Sequence, residues 1–176
     1  MKPWVKKFAI AVIYLIIITF LKGHTDWFFV TGGLTSIFLI DLLDRFSFIF
    51  VTEPSLDSSH LIRQNLKKLD FKPLIDGWPD YQQAKERTLH SVLFQTALVI
   101  FTFYAVSTAA DTLIVGFLFG ALIHLWLEQY LDFKKFGTIE HWFFLTGIIP
   151  SPTQATVYLI AAGIVFVLLS WQFGVR

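Results

Sequence analysis

The segment ERTLHSVLFQTALVIFTFYAVSTA (residues 86–109) marks the point where a charged loop passes into a long apolar run. Glu86 and His90 are four residues apart, so in a helix their side chains lie on one face. The run that follows His90 carries no charged residue before Asp111. This pattern predicts a transmembrane helix at about residues 90–109, with a carboxylate and an imidazole at its start.

The composition of the whole chain favours a membrane protein. Of its 176 residues, 55% are hydrophobic and 15% are charged, whereas a soluble domain carries about 25% charged residues. The mean hydropathy is +0.63. Cysteine is absent, which excludes disulfides and thiolate metal sites. No linker or internal repeat is evident, so we predict a single domain over residues 1–176.

Four further apolar runs predict transmembrane helices at about residues 5–22, 27–46, 111–131 and 155–173. The predicted fold class is therefore all-α, an integral membrane bundle of about five transmembrane helices. Within the polar connection 52–87, residues 57–69 predict an amphipathic helix on the membrane surface, with its cations near lipid phosphates. Residues 143–149 are apolar but too few to span, and they predict a re-entrant or interfacial segment.

The distribution of cations gives the orientation. If the N-terminus is cytoplasmic and five spans alternate, twelve of the 14 Lys and Arg side chains lie inside, and only Lys22 and Arg176 lie outside. We therefore predict a multi-pass plasma-membrane protein with a cytoplasmic N-terminus and a cytoplasmic loop 52–87. The same assignment puts three polar pairs at a similar depth on the inner side: Asp41 with Asp44, Glu86 with His90, and His124 with Glu128.

These three pairs predict a metal site. A charged residue within a membrane costs about 2.5–3.5 kcal/mol, so it needs a partner or a function. Carboxylate oxygens and imidazole nitrogens suit Zn, Mn or Fe, and a carboxylate-rich set allows one or two ions. We expect Glu86 or Glu128 to act as general base and Arg87 or Arg45 to hold an anion such as phosphate. The predicted ligands are Asp41, Asp44, Glu86, His90, His124 and Glu128.

Single residues carry further local predictions. Asp26 and Asp111 have the position and the type of helix N-caps. Gly116 and Gly120 form a G-x-x-x-G pair, which indicates close helix packing. His141 is predicted to support the metal ligands from the loop beside them.

The order of these motifs resembles that of the YdjM-type family of bacterial inner-membrane proteins, which are predicted metal-dependent hydrolases. The resemblance covers about residues 40–141 and rests on Asp41-x-x-Asp44, then RTLHS at 87–91, then Gly120-x-x-x-His124-x-x-x-Glu128. The family pattern has a His before the Arg of the middle motif, where this chain has Glu86. It has an Asp at the end of the last motif, where this chain has Glu128. The resemblance implies an inner-membrane location, a bacterial source and a hydrolase whose metal is bound by these motifs.

Three functions remain open on the sequence alone. The first is a metal-dependent hydrolase that acts on a lipid-linked phosphate or ester. The second is a non-enzymatic scaffold or subunit of a membrane complex, in which the polar cluster is structural; a homo-oligomer is equally open. The third is ion transport, which is disfavoured because few polar residues continue toward the outer side. Nucleotide-binding motifs are absent, and no nucleic-acid partner is expected.

Overall fold

The structure is a computed structural model that describes residues 3–21, 26–76 and 87–175. Every regular element within these ranges is helical, which confirms the all-α fold class. A π-helical turn, Phe48–Thr52, extends the second helix, and a 3-10 helix, Glu140–Thr146, precedes the last one. The α-helices are, in chain order, α1 Pro3–Leu21, α2 Trp27–Ser47, α3 Asp57–Lys67, α4 Lys72–Asp76, α5 Val92–Ser107, α6 Thr112–Phe136 and α7 Pro152–Val175.

Helix α5 begins later than predicted, and this changes the surroundings of His90. Ser91 is the N-cap of α5, and its Oγ accepts a hydrogen bond from the backbone N–H of Phe94 at 3.2 Å. Residues 87–91 form a turn, in which the N–H of His90 donates to the Arg87 carbonyl oxygen at 3.0 Å. His90, expected within the first turn of the predicted helix at about residues 90–109, therefore lies in the turn before it. Glu86 lies outside the described residues.

The long helices alternate in direction. Helix α1 packs against α2 and α7, while α6 packs against α2, α5 and α7. The contacts that define the directions place α1, α5 and α7 parallel to one another and antiparallel to α2 and α6. They include Phe8 with Phe38, Leu15 with Gly33, Phe29 with Gly116, Gln95 with Tyr158, Tyr14 with Phe166, and Trp126 with Leu159.

Helices α2 and α6 form the most extensive pair, and glycines set their separation. A Cβ on Gly116 would lie 2.0 Å from the Phe29 carbonyl oxygen, and one on Gly120 would lie 2.2 Å from the Gly33 carbonyl oxygen. No larger residue fits such distances without moving the helices apart. The predicted close packing of the G-x-x-x-G pair is thus confirmed. The close approach places Asp41 on α2 beside His124 on α6.

The predicted caps are also confirmed. Asp26 accepts a hydrogen bond from the Phe29 N–H at 3.1 Å, and Asp111 accepts one from the Leu113 N–H at 2.8 Å. Helix α6 continues to Phe136, beyond the predicted end near residue 131. It ends at Gly137, whose φ of 71° is in the left-handed region that glycine adopts without strain. This cap turns the chain back, so that the 3-10 helix packs beside the end of α6.

The predicted amphipathic segment forms α3. Its Ile62 is 3% exposed and packs with Phe48, Ile49 and Leu74 in a small cluster at the end of α2. Leu61 remains 60% exposed. The apolar side of α3 is therefore divided between the protein and its surroundings.

Two of the described helices have the length and composition needed to cross a membrane, Thr112–Phe136 and Pro152–Gly174. Two shorter helical stretches, Phe8–Leu21 and Val92–Ser107, are also apolar. Only 28% of the apolar window in the last helix is buried inside the protein. The described residues thus contain two candidate spans, while the bundle of about five spans stays a prediction.

Candidate metal centre

Three side chains from three elements converge at one end of the bundle. Asp41 lies on α2, His90 in the turn before α5, and His124 on α6, and one ligand atom of each lies within 4.8 Å of the other two. Asp41 Oδ1 is 3.0 Å from His124 Nε2 and 3.6 Å from His90 Nε2. Metal bonds of about 2.1 Å hold tetrahedral donors about 3.4 Å apart, and the two separations from Asp41 Oδ1 are close to this value. Three of the predicted ligands therefore form a group that can hold a metal.

The ring of His90 carries the most specific indication of a metal. His90 is 2% exposed, and its Nε2 is buried without a hydrogen bond among the described residues. This atom faces Asp41 Oδ1 at 3.6 Å and Glu128 Oε2 at 3.4 Å. A buried polar atom without a hydrogen bond costs about 1–3 kcal/mol. A metal ion at this position would use the Nε2 lone pair and remove that cost.

Asp44 contacts the turn that carries His90. Its Oδ2 lies 3.0 Å from His90 Nδ1, and its Oδ1 accepts a hydrogen bond from the Leu89 N–H at 2.9 Å. A carboxylate that accepts the Nδ1–H of a histidine fixes the ring so that Nε2 is left for the metal. Asp44 therefore orients His90 and is not one of the three grouped ligands.

Opposing effects act on the pKa of His90, which lies in the turn outside the helices. Burial and the Arg87 guanidinium both disfavour the charged imidazolium. The hydrogen bond with Asp44 and the charge of Glu128 outweigh them and raise the pKa of His90 to about 9. Without a metal, the proton on His90 balances part of the negative charge of the site. A metal ion has to displace that proton when it binds Nε2.

Glu128 and Arg87 border the three grouped ligands. Glu128 is 8% exposed and lies on α6, one turn after His124. Its Oε2 is 3.4 Å from His90 Nε2 and 3.5 Å from Arg87 Nη2. A carboxylate beside the three grouped ligands could accept a proton from a water at the open position. Glu128 and Arg87 thus lie beside the three grouped ligands, while the roles predicted for them, ligand or base for Glu128 and anion binding for Arg87, stay predictions.

Asp132 is a site residue that the sequence reasoning missed. Its Oδ2 lies 2.9 Å from His141 Nε2, accepts a hydrogen bond from Trp142 Nε1–H at 3.0 Å, and is 4.0 Å from Arg87 Nη2. The Trp142 ring is fully buried and lies 5.6 Å from the His90 ring. The supporting role predicted for His141 thus operates through Asp132. The signal was present in the sequence, because His124, Glu128 and Asp132 recur every four residues and share one helix face.

Other predicted residues lie elsewhere. Arg45 Nη1 donates a hydrogen bond to the Leu74 carbonyl oxygen at 2.7 Å and so ties α2 to α4. His60 lies on α3, in a cleft with Arg63 and Lys67. The site is open on the side of Asp41, because 41% of the Asp41 side chain is exposed while the His90 side chain is 1% exposed. Ligands can therefore reach the metal position from the Asp41 side.

Comparisons of the chain with models of protein families, with curated proteins and with solved structures found no match. The function is therefore inferred from the chemistry of the site.

Proposed function

We propose that the chain is a membrane-embedded metal-dependent hydrolase that acts on a lipid-linked phosphate or ester at the cytoplasmic face of the membrane. One observation carries the proposal. Asp44 orients the His90 ring so that its Nε2, which has no hydrogen bond among the described residues, faces Asp41, beside His124. Two imidazoles and one carboxylate with an open side form the donor set of hydrolytic zinc sites, and they also suit Mn and Fe.

A divalent ion bound there lowers the pKa of a bound water and polarises the bond that is cleaved. Glu128 is placed to take the proton of the attacking water, because its Oε2 lies 3.4 Å from His90 Nε2. Arg87 is placed to bind an anionic oxygen of the substrate, since its guanidinium borders Glu128 at 3.5 Å. The open edge at Asp41 is the route by which water and substrate enter.

The membrane part of the proposal is a bundle of about five spans with a cytoplasmic N-terminus. The alternating directions of α1, α2, α5, α6 and α7 support it, because such helices can cross one slab in turn. Large apolar side chains face outward along the bundle, including Phe38 at 63%, Val167 at 63% and Trp171 at 66% exposure. Large exposed apolar side chains in such number favour contact with lipid. The motif order also supports membership of the YdjM-type family and, with it, a bacterial inner-membrane location.

A purely structural polar cluster fits the geometry less well. Such a network stabilises a bundle when each buried polar atom has a hydrogen bond. Here His90 Nε2 makes no hydrogen bond among the described residues and meets Asp41 Oδ1 and Glu128 Oε2 only as ion pairs, at 3.6 and 3.4 Å. The arrangement leaves a donor atom for a metal, which is what the hydrolase proposal requires.

Metal analysis of the protein purified in detergent tests the proposal. The wild-type chain is expected to bind Zn²⁺ or Mn²⁺ with at least one ion per chain, and His124→Ala is expected to lose it. His60→Ala, a histidine exchange on α3 outside the site, is the matched control and should keep the metal. Metal-loaded wild-type protein should hydrolyse bis(p-nitrophenyl) phosphate or a p-nitrophenyl ester. A wild-type chain that binds no divalent ion, or a His124→Ala variant that keeps it, would contradict the proposal.

A further inference from the structure

A second group of donors lies directly beside the three grouped ligands. Glu128 and Asp132 are one helical turn apart on α6, and His141 comes from the 3-10 helix that folds back onto them. His141 Nε2 is 2.9 Å from Asp132 Oδ2. Carboxylates and an imidazole are the donor types that hold a second metal ion in two-metal hydrolases, although among the described residues only Asp41, His90 and His124 lie close enough together to hold an ion as they stand.

The position between these carboxylates is already taken by a cation of the protein itself. Arg87 Nη2 lies 3.5 Å from Glu128 Oε2 and 4.0 Å from Asp132 Oδ2. The guanidinium is charged at every accessible pH, so it cannot lose its charge by deprotonation as a lysine or histidine can. A divalent ion could occupy this position only by displacing Arg87 against strong repulsion.

We infer that Arg87 takes the place of a second metal ion, so that the centre is mononuclear with a fixed guanidinium as its second positive charge. The inference rests on the proposed metal site and deepens it. The carboxylate-rich sequence allows one or two metal ions per chain, and this inference predicts one.

The surroundings of Arg87 support this assignment. Its backbone carbonyl accepts the N–H of His90 at 3.0 Å, so the turn that positions the metal ligand also positions the guanidinium. Asp132 Oδ2 lies within hydrogen-bond distance of two ring nitrogens, those of His141 and Trp142. With these partners and Arg87, the Asp132 carboxylate is stabilised without a metal. Only 19% of the Arg87 side chain is exposed, so the charge is held in the protein and not in bulk water.

The test is the number of Mn²⁺ ions bound per chain at saturation, measured by equilibrium dialysis and by electron paramagnetic resonance of purified protein. Wild type is expected to bind one ion and to give the signal of an isolated Mn²⁺. Arg87→Met, which keeps the length of the side chain but removes the charge, is expected to bind two ions with a spin-coupled signal. Arg87→Lys keeps a positive charge and should still bind one. Adding Asp132→Asn to Arg87→Met should return the stoichiometry to one.

The outcomes separate this inference from the proposed function. Two ions in wild type, or one ion in Arg87→Met, would overturn the role of Arg87 and leave the metal site intact. No ion in wild type would overturn the proposed function itself. If Arg87→Met does not fold, Asp132→Asn in the wild-type background gives a second test. It should retain the single ion, and its loss would show that Asp132 is a ligand and overturn the inference.

Discussion

Asp44 and Asp41 are three residues apart on α2, yet their carboxylates contact different groups. Asp41 Oδ1 faces the Nε2 atoms of both histidines, whereas the two oxygens of Asp44 contact the turn that carries His90. Asp44 is 1% exposed, so its charge is stabilised by these partners and not by water. The difference shows that Asp44 fixes where the His90 ring points, and that Asp41 belongs to the group that could hold a metal ion.

Asp44→Asn is therefore expected to weaken metal binding without removing a ligand. An amide at this position keeps the shape of the side chain but loses the charge that favours Nδ1–H and directs Nε2 to the metal. Substitutions of such supporting carboxylates lower metal affinity by about 10–100-fold. Isothermal titration of the metal-free variant with Zn²⁺ measures the change. Asp26→Asn, the same exchange at the other end of α2 where Asn still caps the helix, should leave the affinity unchanged. An Asp44→Asn affinity equal to that of wild type would contradict the role.

At the residue scale the sequence indicated which side chains meet but not what each one does. Spacing of three or four residues identifies a shared helix face, and this was sufficient to select Asp41, Asp44, His124 and Glu128. It does not tell which oxygen or nitrogen faces which partner. That depends on the turn at residues 87–91, whose shape follows from the Ser91 cap and from contacts with α2.

At the scale of elements, the separation of α2 and α6 determines the geometry of the metal position. The two helices run parallel and touch through Gly32, Gly116 and Gly120. Asp41 and His124 lie farther along the same pair of helices, with 3.0 Å between their ligand atoms. Glycines at the contact therefore determine how closely Asp41 and His124 approach, one to about three helical turns farther along the two helices.

Gly116→Ala is expected to destabilise the protein and to weaken metal binding together. The added Cβ would lie 2.0 Å from the Phe29 carbonyl oxygen, so the helices have to move apart. Overpacking of this kind costs about 1–3 kcal/mol, and more when backbone has to move. Thermal unfolding in detergent and Zn²⁺ titration measure the two effects. The matched control is Gly163→Ala on α7, whose Cβ would meet the Trp126 ring at an ordinary 3.4 Å. Equal behaviour of the two variants would contradict this account.

The sequence predicted the long helices well because each apolar run has a clear polar boundary. Asp26 and Asp111 mark the starts of α2 and α6, and both act as caps. The start of α5 was misplaced because Glu86 and His90 have helical spacing, which suggested that the helix continued through them. The serine that ends the charged segment was the better signal, since a Ser before an apolar run is a frequent N-cap.

At the scale of the whole molecule, the site lies at one end of the bundle. The C-terminal parts of α2 and α6, the turn before α5 and the 3-10 helix before α7 all meet there. Cation counting along the sequence predicted this common depth without any structural information. The contacts that fold the 3-10 helix back onto α6 could not be predicted in that way, because they depend on the left-handed cap at Gly137.

The proposed orientation predicts which loops face the cytoplasm. Cysteine is absent from the chain, so a single introduced cysteine reports one position without background. Ser55→Cys, before α3, and Ser151→Cys, before α7, are exposed positions at the end that carries the site. Thr108→Cys, between α5 and α6, is an exposed position at the opposite end.

In intact bacterial cells, a maleimide that cannot cross the membrane should label Thr108→Cys and leave the other two unlabelled. After the cells are opened, all three should react. This contrast follows because the five helices alternate and twelve of the 14 Lys and Arg side chains lie on the predicted inner side. Labelling of Ser55→Cys and Ser151→Cys in intact cells would reverse the orientation and move the metal centre to the outer face. Labelling of positions from both ends would show that the helices do not separate two compartments.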